Sequence, residues 1–306
     1  MKQLVLFLKL KDSYHTYAII TIIFWSMAFV LTRLSLQYFS AFSLGFLRYA
    51  FATLALIVIA LITKMKLPKK SDIKWFVLSG LFGFFMYMIA FNKGCETVTS
   101  ATGSVVLAIV PVITALLARF ISKEKLSIIQ WSAIAIEFSG VVVLTLLNGS
   151  FSLNHGLIWL FAAVLLLSAY NLLQRKLTKT YSGLQASAFS IFIGTIMLAV
   201  FLPTTVREVP SAPPIAFVYV AILGVFSSAV AYAAWAQAFK KAKKASSVSN
   251  YMFVTPFLAS LMGFVLAGEK PDGATLIGGG IIIFGLFIFN FGERLMGRKH
   301  KETAGQ

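Results

Sequence analysis

Two stretches of the chain repeat one pattern: PVITALLARFISKEK at residues 111–125 and PFLASLMGFVLAGEK at residues 256–270. In each stretch a proline stands thirteen positions before a Glu-Lys pair, and the two prolines are 145 positions apart. Both stretches lie in long apolar sequence, so the repeat indicates a duplicated membrane-embedded unit. Three upstream pairs of aromatic or polar residues match at the same offset: Tyr87 with Tyr232, Asn92 with Gln237, and Ser104 with Ser249.

The composition excludes an ordinary soluble protein. Of the 306 residues, 59% are hydrophobic and 12% are charged, whereas a soluble domain has about 25% charged residues. The net charge of +17 would suggest nucleic acid, but most Lys and Arg stand in short runs between apolar segments, where they face anionic headgroups. We therefore expect a lipid bilayer and no nucleic acid as partner. Cys95 is the only cysteine, which excludes an internal disulfide and a Cys-based metal site.

The apolar segments predict an all-α polytopic membrane protein with ten transmembrane helices, because a bilayer core about 30 Å thick takes about 20 apolar residues per helix. Residues 1–16 are expected to form a cytoplasmic or interfacial N-terminus, and residues 293–306 a cytoplasmic basic tail. The predicted spans are 17–37, 43–63, 74–93, 99–121, 127–147, 155–175, 184–202, 214–237, 246–267 and 274–292.

The distribution of Lys and Arg supports this helix count. With both termini in the cytoplasm, most cations fall on the cytoplasmic side of the cell membrane, as the positive-inside rule requires. A missed helix would invert every later loop and destroy that bias. The opposite side keeps only Arg33, Arg48, Lys93, Arg207 and Lys270.

The two units, 17–147 and 155–292, contain five predicted helices each. Because five is odd, the second unit enters the membrane from the opposite side, and the loop charges agree: residues 119–125 are basic, whereas the matching residues 268–272 have lost most cations. Such inverted repeats are typical of alternating-access carriers. The first third of each unit aligns at an offset of 142, pairing Ser26 with Ser168, Arg33 with Arg175, and Thr53 with Thr195.

Polar, aromatic and proline residues inside the spans predict a central cavity. Pro111 and Pro256 free backbone carbonyls and kink their helices, although the small residues beside them also suit close helix packing. Deep hydroxyl and amide groups need partners away from lipid. The candidate substrate-binding residues are Trp25, Ser26, Tyr87, Phe91, Asn92, Ser104, Pro111, Tyr170, Asn171, Gln174, Tyr232, Trp235, Gln237, Ser249, Asn250 and Pro256.

Three ionisable residues lie within or beside predicted spans. Arg33 and Arg48 fall near the outer face, where they either snorkel to the interface or bind a substrate carboxylate. Glu137 stands in the middle of span 5, where a carboxylate is expensive. It is either a neutral acid hydrogen-bonded to a neighbouring helix or a proton-coupling group.

The ten spans, the two copies and the Pro…Glu-Lys motif resemble the EamA-type branch of the drug/metabolite transporter superfamily over residues 17–292. The resemblance implies two EamA-like repeats and a cavity lined by helices 1, 3, 4, 6, 8 and 9, with helix 5 and Glu137 outside it. It also implies that two residue pairs are structural, through salt bridging and loop closure: Glu124 with Lys125, and Glu269 with Lys270.

The sequence thus predicts a secondary transporter, an exporter of small neutral or zwitterionic metabolites such as amino acids, which works by alternating access. It needs no cofactor or metal, and it can be a monomer or a homodimer. A carrier of phosphorylated or nucleotide-type metabolites would need more deep cations than Arg33 and Arg48. A channel would need a polar ring made by oligomerisation. An intramembrane enzyme would need a catalytic motif, and no Gly-x-Ser-x-Gly, His-Glu-x-x-His or P-loop sequence is present.

Overall fold

The computed structural model describes residues 13–97, 100–147, 155–267 and 273–303, and within these ranges the secondary structure is helical, with no strand. Two of the predicted structural residues, Glu269 and Lys270, lie outside the described residues, as do the first twelve residues of the chain.

We number the helices in chain order, and five of them are continuous. These are α1 (Tyr14–Ser35), α2 (Ala41–Ile62), α5 (Ile128–Leu147), α6 (His155–Leu177) and α10 (Gly273–Thr303). The α10 helix therefore continues into the segment predicted as a basic tail.

The other helices contain interruptions. The α7 helix runs over Gly183–Leu198 and continues through a 3-10 turn at Ala199–Phe201 into Leu202–Glu208. A π-helical turn divides α3, which consists of Ile73–Gly80, Leu81–Met86 and Tyr87–Thr97. A second π-helical turn divides α8, which consists of Pro214–Gly224, Val225–Val230 and Ala231–Lys241. The α4 helix consists of Ser100–Leu107 and Val110–Ile121. The α9 helix consists of Ala245–Ser249, a 3-10 stretch at Asn250–Val254, and Thr255–Ala267.

Six helical stretches of the described chain are long and apolar enough to cross a membrane. They are Tyr14–Ser35, Ala41–Ile62, Lys70–Thr97, His155–Leu177, Gly183–Ser211 and Pro214–Lys241, and two shorter apolar helices cover Val110–Ile121 and Ile277–Gly292. The chain is therefore a multi-pass membrane protein. That all ten predicted spans cross the bilayer stays a prediction.

Serine residues cap three of the helices. Ser40 accepts a hydrogen bond from the Ser43 amide at 3.3 Å at the start of α2, and Ser13 caps α1 in the same way. Ser182 and Gln185 form a reciprocal capping box at the start of α7, with distances of 3.0 and 3.2 Å. Each cap supplies an acceptor for backbone N–H groups that have no partner within the helix.

The interruptions in α4 and α9 lie beside the two repeated prolines. Because proline has no N–H, Pro111 cannot bond to the carbonyl four residues earlier, and the α-helical pattern lapses between Leu107 and Val110. Ser168 on α6 donates a hydrogen bond to the Val110 carbonyl at 3.3 Å. In α9 the 3-10 stretch ends two residues before Pro256. Both prolines therefore disturb their helices, as the sequence predicts.

Glycines allow close approach at two contacts between helices. A Cβ atom on Gly83 would lie 2.1 Å from the Tyr170 ring, so α6 packs its aromatic side chain directly on the π-helical turn of α3. A Cβ atom on Gly285 would lie 2.4 Å from Cγ of Glu137, so α10 packs equally closely on α5. A larger residue at either glycine would force the helices apart.

Candidate functional site

A small cavity lies among α1, α2, α3, α4, α8 and α9, and its volume is about 20 Å³. This volume holds about one water molecule, so an organic solute enters only when the surrounding helices separate. The lining side chains are mostly aromatic or apolar, with one cation: Trp25, Ala28, Phe29, Arg48, Tyr87, Phe91, Leu107, Tyr232, Met252 and Thr255.

Aromatic rings form most of the cavity wall. The Trp25 ring centroid lies 5.0 Å from that of Tyr232, and the Tyr87 and Phe91 rings stack at 5.7 Å. Phe29 extends the second pair, because its ring meets Phe91 edge-on at 5.3 Å. These distances are in the favourable range for aromatic pairs. All four predicted residues in this wall, Trp25, Tyr87, Phe91 and Tyr232, therefore come together.

A hydrogen-bonded layer behind the wall fixes its orientation. Asn171 on α6 donates from Nδ2 to the Thr114 hydroxyl at 3.2 Å and accepts at Oδ1 from the Trp235 indole N–H at 2.9 Å. The Trp235 ring in turn lies 5.0 Å from Trp25. Asn171 thus ties α4, α6 and α8 together immediately behind the cavity, and neither Asn171 nor Trp235 lines it.

Tyr170 and Ser26 also lie in this second layer. The Tyr170 ring is fully buried, 5.2 Å from Phe84 and 5.7 Å from Tyr232. Ser26 donates to the Thr255 carbonyl at 3.5 Å, a long hydrogen bond from α1 to the interrupted helix α9. Among the other candidates, Ser104, Pro111 and Pro256 are buried within α4 and α9 but do not line the cavity.

Arg48 on α2 supplies the charge in the cavity, and only 3% of its surface is exposed. Its Nε donates to the Ser228 hydroxyl at 2.7 Å, and Nη2 donates to the Ser227 carbonyl at 3.4 Å. Both acceptors belong to the π-helical turn of α8. Arg33, the other predicted arginine, lies exposed in the last turn of α1.

Three predicted amides tie helices together elsewhere, and none of them lines the cavity. Asn92 donates to the Ala41 carbonyl at the start of α2, at 2.8 Å. Gln174 donates to the hydroxyls of two serines at 3.1 and 3.4 Å, and Gln237 accepts at 3.4 Å from the first amide of α7. The serines are Ser79 and Ser190.

Glu137 and Asn250 form a buried pair away from the cavity. Asn250 donates from Nδ2 to Oε1 of Glu137 at 2.8 Å, joining the 3-10 stretch of α9 to the middle of α5, and both residues are fully buried. This contact matches the reading of Glu137 as a group hydrogen-bonded to a neighbouring helix. Ser249, beside Asn250, donates to the Ser246 carbonyl within its own helix at 3.3 Å.

Glu124 caps a helix. Its carboxylate accepts from the Ala245 amide at 2.8 Å and from the Ser246 hydroxyl at 3.2 Å, at the first turn of α9. Lys125 is exposed, and its carbonyl accepts from Lys244 Nζ at 2.6 Å. Within the described part of the chain, Glu124 closes the loop as expected, but through a helix cap and without a salt bridge to lysine.

Five lining residues were not predicted from the sequence: Ala28, Phe29, Leu107, Met252 and Thr255. Phe29 lies four residues after Trp25 and shares its helix face, so the helical period could have identified it. Thr255 directly precedes the predicted Pro256. Ala28, Leu107 and Met252 are ordinary apolar residues without a signal of their own.

A larger cavity of about 290 Å³ lies between α1, α9 and α10. Its wall is almost entirely apolar, and side chains such as Ile19 and Phe287 are 50% exposed. In a bilayer these side chains contact lipid, so we do not assign the substrate site to this cavity.

The EamA-like transporter family matches the chain twice, over residues 13–146 and 154–291. The chain belongs to this family. The resemblance to EamA-type transporters is therefore confirmed, and the protein is a membrane transporter that acts on a small-molecule substrate from within a lipid bilayer.

Two relatives that are named as transporters match this chain over most of their length. A protein of Streptantibioticus cattleyicolor named "Probable terminal-alkyne amino-acid exporter" is 28% identical over 286 residues, covering 94% of this chain and 95% of that protein. The "Uncharacterized transporter YdfC" of Bacillus subtilis is 29% identical, covering 86% of each chain. A solved crystal structure superimposes with a TM-score of 0.74 at 19% identity, covering 92% of this chain and 98% of that chain, and supports the fold alone.

Proposed function

We propose that this EamA-like transporter exports small neutral or zwitterionic organic metabolites, such as amino acids, by alternating access about the cavity at Trp25, Tyr87 and Tyr232. The observation that carries the proposal is the buried aromatic cavity containing a single cation, since such a wall encloses a small organic solute and a charged group orients it. The exporter named among the relatives agrees with this substrate class.

The size of the cavity supports alternating access. A volume of about 20 Å³ is too small for an amino acid, so the helices around it must move during transport. Leu107, Met252 and Thr255 line the cavity at or beside the interruptions of α4 and α9. Interrupted helices can bend with little loss of hydrogen bonding, so we assign the hinges of this movement to α4 and α9.

Three observations support the inverted five-helix repeat as part of the proposal. The family matches the two halves of the chain separately. The π-helical turns occupy Leu81–Met86 and Val225–Val230, at corresponding places in α3 and α8. The hydroxyls of Thr53 and Thr195, residues that the sequence repeat aligns, lie 2.8 Å apart. A residue that contacts its own counterpart is expected on a two-fold pseudosymmetry axis.

The test is counterflow of labelled amino acids in proteoliposomes containing purified protein. Saturable exchange supports a carrier, whereas flux that stays linear with concentration would indicate a channel and contradict the proposal.

Tyr87→Phe tests the cavity. Loss of a hydroxyl that contacts substrate should lower exchange about tenfold, because one lost hydrogen bond costs about 1 kcal/mol or slightly more. The matched control is Tyr219→Phe, a tyrosine of α8 that packs against a separate apolar cluster and does not line the cavity. Equal exchange rates in the two variants, with equal amounts of folded protein, would place the substrate elsewhere.

A further inference from the structure

Arg48 is a cation held inside a membrane-spanning helix. It lies two turns after the start of α2, and 3% of its surface is exposed. A guanidinium within a bilayer costs several kcal/mol unless it reaches the interface or meets a counter-charge. Its side chain lines the buried cavity, so it has not reached the interface.

The protein supplies hydrogen-bond acceptors for only some of the N–H groups of this guanidinium. Of its five N–H donors, one bonds to the Ser228 hydroxyl and one to the Ser227 carbonyl, both of which are neutral acceptors. Within residues 13–97, 100–147, 155–267 and 273–303, no aspartate or glutamate forms an ion pair with Arg48. Lys93, by contrast, pairs with Glu96 at 2.9 Å. Arg48 therefore has hydrogen-bonding capacity and charge left for a ligand.

The packing of α2 against α8 holds Arg48 in this place. A Cβ atom on Gly224 would lie 2.6 Å from the Arg48 carbonyl and 2.5 Å from Cβ of Phe51, so only glycine permits this approach. The π-helical turn that begins at the next residue then presents Ser227 and Ser228 to the guanidinium. The close contact at Gly224 and the π-helical turn of α8 thus hold Arg48 in this position.

We propose that Arg48 binds the carboxylate of the transported solute. This inference rests on the proposed function and narrows its substrate class to solutes that carry a carboxylate. A guanidinium binds a carboxylate through two parallel hydrogen bonds, and the bound anion supplies the counter-charge that the surrounding protein does not. For an amino acid, the aromatic faces of Trp25 and Tyr232 then receive the ammonium group through cation–π contacts.

The experiment compares each acid with its amide. Phenylalanine and phenylalaninamide, together with alanine and alaninamide, are measured by counterflow in proteoliposomes and by thermal stabilisation of the purified protein. The wild-type protein should exchange and bind the acids, and the amides should bind at least about 30-fold more weakly, since an unpaired buried charge costs at least about 2 kcal/mol.

Three variants assign the discrimination to Arg48. Arg48→Gln should weaken acid binding by the same factor of about 30 and abolish the difference between acid and amide. Arg48→Lys keeps the charge but loses the two-point geometry, so it should discriminate less than wild type and more than Arg48→Gln. Arg207→Gln, which removes an exposed arginine of α7, is the control and should behave as wild type.

Ser228→Ala provides a test if Arg48→Gln does not fold. It leaves the charge in place and removes the 2.7 Å hydrogen bond that orients the guanidinium. We expect weaker binding of the acid and unchanged binding of the amide.

Failure of the proposed role of Arg48 can be distinguished from failure of the proposed function. Saturable exchange of acid and amide at equal rates, or full acid binding by Arg48→Gln, would overturn the role of Arg48 and leave the proposed function standing. Absence of saturable exchange for every amino acid would overturn the proposed function. In that case the thermal stabilisation of the purified protein by acetate and benzoate tests the carboxylate site. Equal stabilisation of wild type and Arg48→Gln, or no stabilisation of either, would refute a carboxylate site at Arg48.

Discussion

Arg48 and Glu137 are both buried ionisable residues in apolar helices, with 3% and 0% of their surface exposed, yet their surroundings differ. Glu137 is packed against α10, where Gly285 leaves no room beyond the side chain, and it is bonded to the Asn250 amide at 2.8 Å. Arg48 lines a cavity and has unused donors. Both side chains are buried, but only Arg48 has space for a ligand beside it.

A charge inside a membrane helix is therefore not by itself evidence of a binding site. Such residues are often functional, but a side chain that is fully enclosed and bonded to a neighbouring helix acts as part of the packing. Accessible volume and unused hydrogen-bonding groups must be present together. On these criteria Glu137 joins α5 to α9, and Arg48 belongs to the candidate site.

We expect the largest loss of stability from a substitution that disturbs the packing around Glu137. In Gly285→Ala the new Cβ would meet Glu137 Cγ at 2.4 Å and the Glu137 backbone nitrogen at 3.0 Å, so we expect a loss of stability of about 3 kcal/mol or more. The measurement is the thermal midpoint and the monodisperse fraction of purified protein. Gly280→Ala is the control, since a Cβ there meets no atom within 4 Å. Equal midpoints for both variants would mean that α5 and α10 are loosely packed.

Two substitutions at Glu137 separate the contribution of side-chain shape from that of hydrogen bonding. Glu137→Leu should cost about 1–3 kcal/mol, because the buried Asn250 amide loses its acceptor. Glu137→Gln keeps an acceptor for Asn250 Nδ2 and adds a donor for Asn250 Oδ1, which has no partner among the described residues. It should therefore be as stable as wild type and transport at the same rate. A Glu137→Gln protein that folds but does not transport would contradict a purely structural role for Glu137.

We expect the smallest change in stability from a substitution at Arg48. Arg48→Gln loses two hydrogen bonds but also removes a buried charge that neutral groups solvate incompletely, so stability should change by less than about 1 kcal/mol. Thermal unfolding without solute measures it. A loss as large as that of Glu137→Leu would make Arg48 a packing residue of the same kind as Glu137, and the comparison between them would fail.

Much of the fold could be predicted from sequence, because helices in lipid must satisfy their own backbone hydrogen bonds. Long apolar segments then become helices, and Pro111 and Pro256 marked the interruptions because proline lacks an N–H. The two π-helical turns had no such signal. A close contact between helices, Tyr170 against Gly83, falls at the first of these turns.

The candidate site was predictable only in part. Trp25, Tyr87, Phe91 and Tyr232 line the cavity, whereas Asn92, Gln174 and Gln237 bond to other parts of the bundle. That the first four bind substrate stays a prediction. A deep amide must find a partner, but its partner can be a helix terminus or a serine as readily as a solute. Sequence spacing does not distinguish these outcomes.

A membrane-embedded helical chain with two related halves follows from the amino-acid sequence, because apolar length and repeated motifs are properties of the chain alone. Which buried polar groups meet one another depends on the tertiary structure. Asn250 meets Glu137, Asn171 meets Trp235, and Arg48 meets the π-helical turn of α8. These pairings depend on how helices distant in sequence are rotated and spaced, and that arrangement is set by close packing at residues such as Gly224 and Gly285.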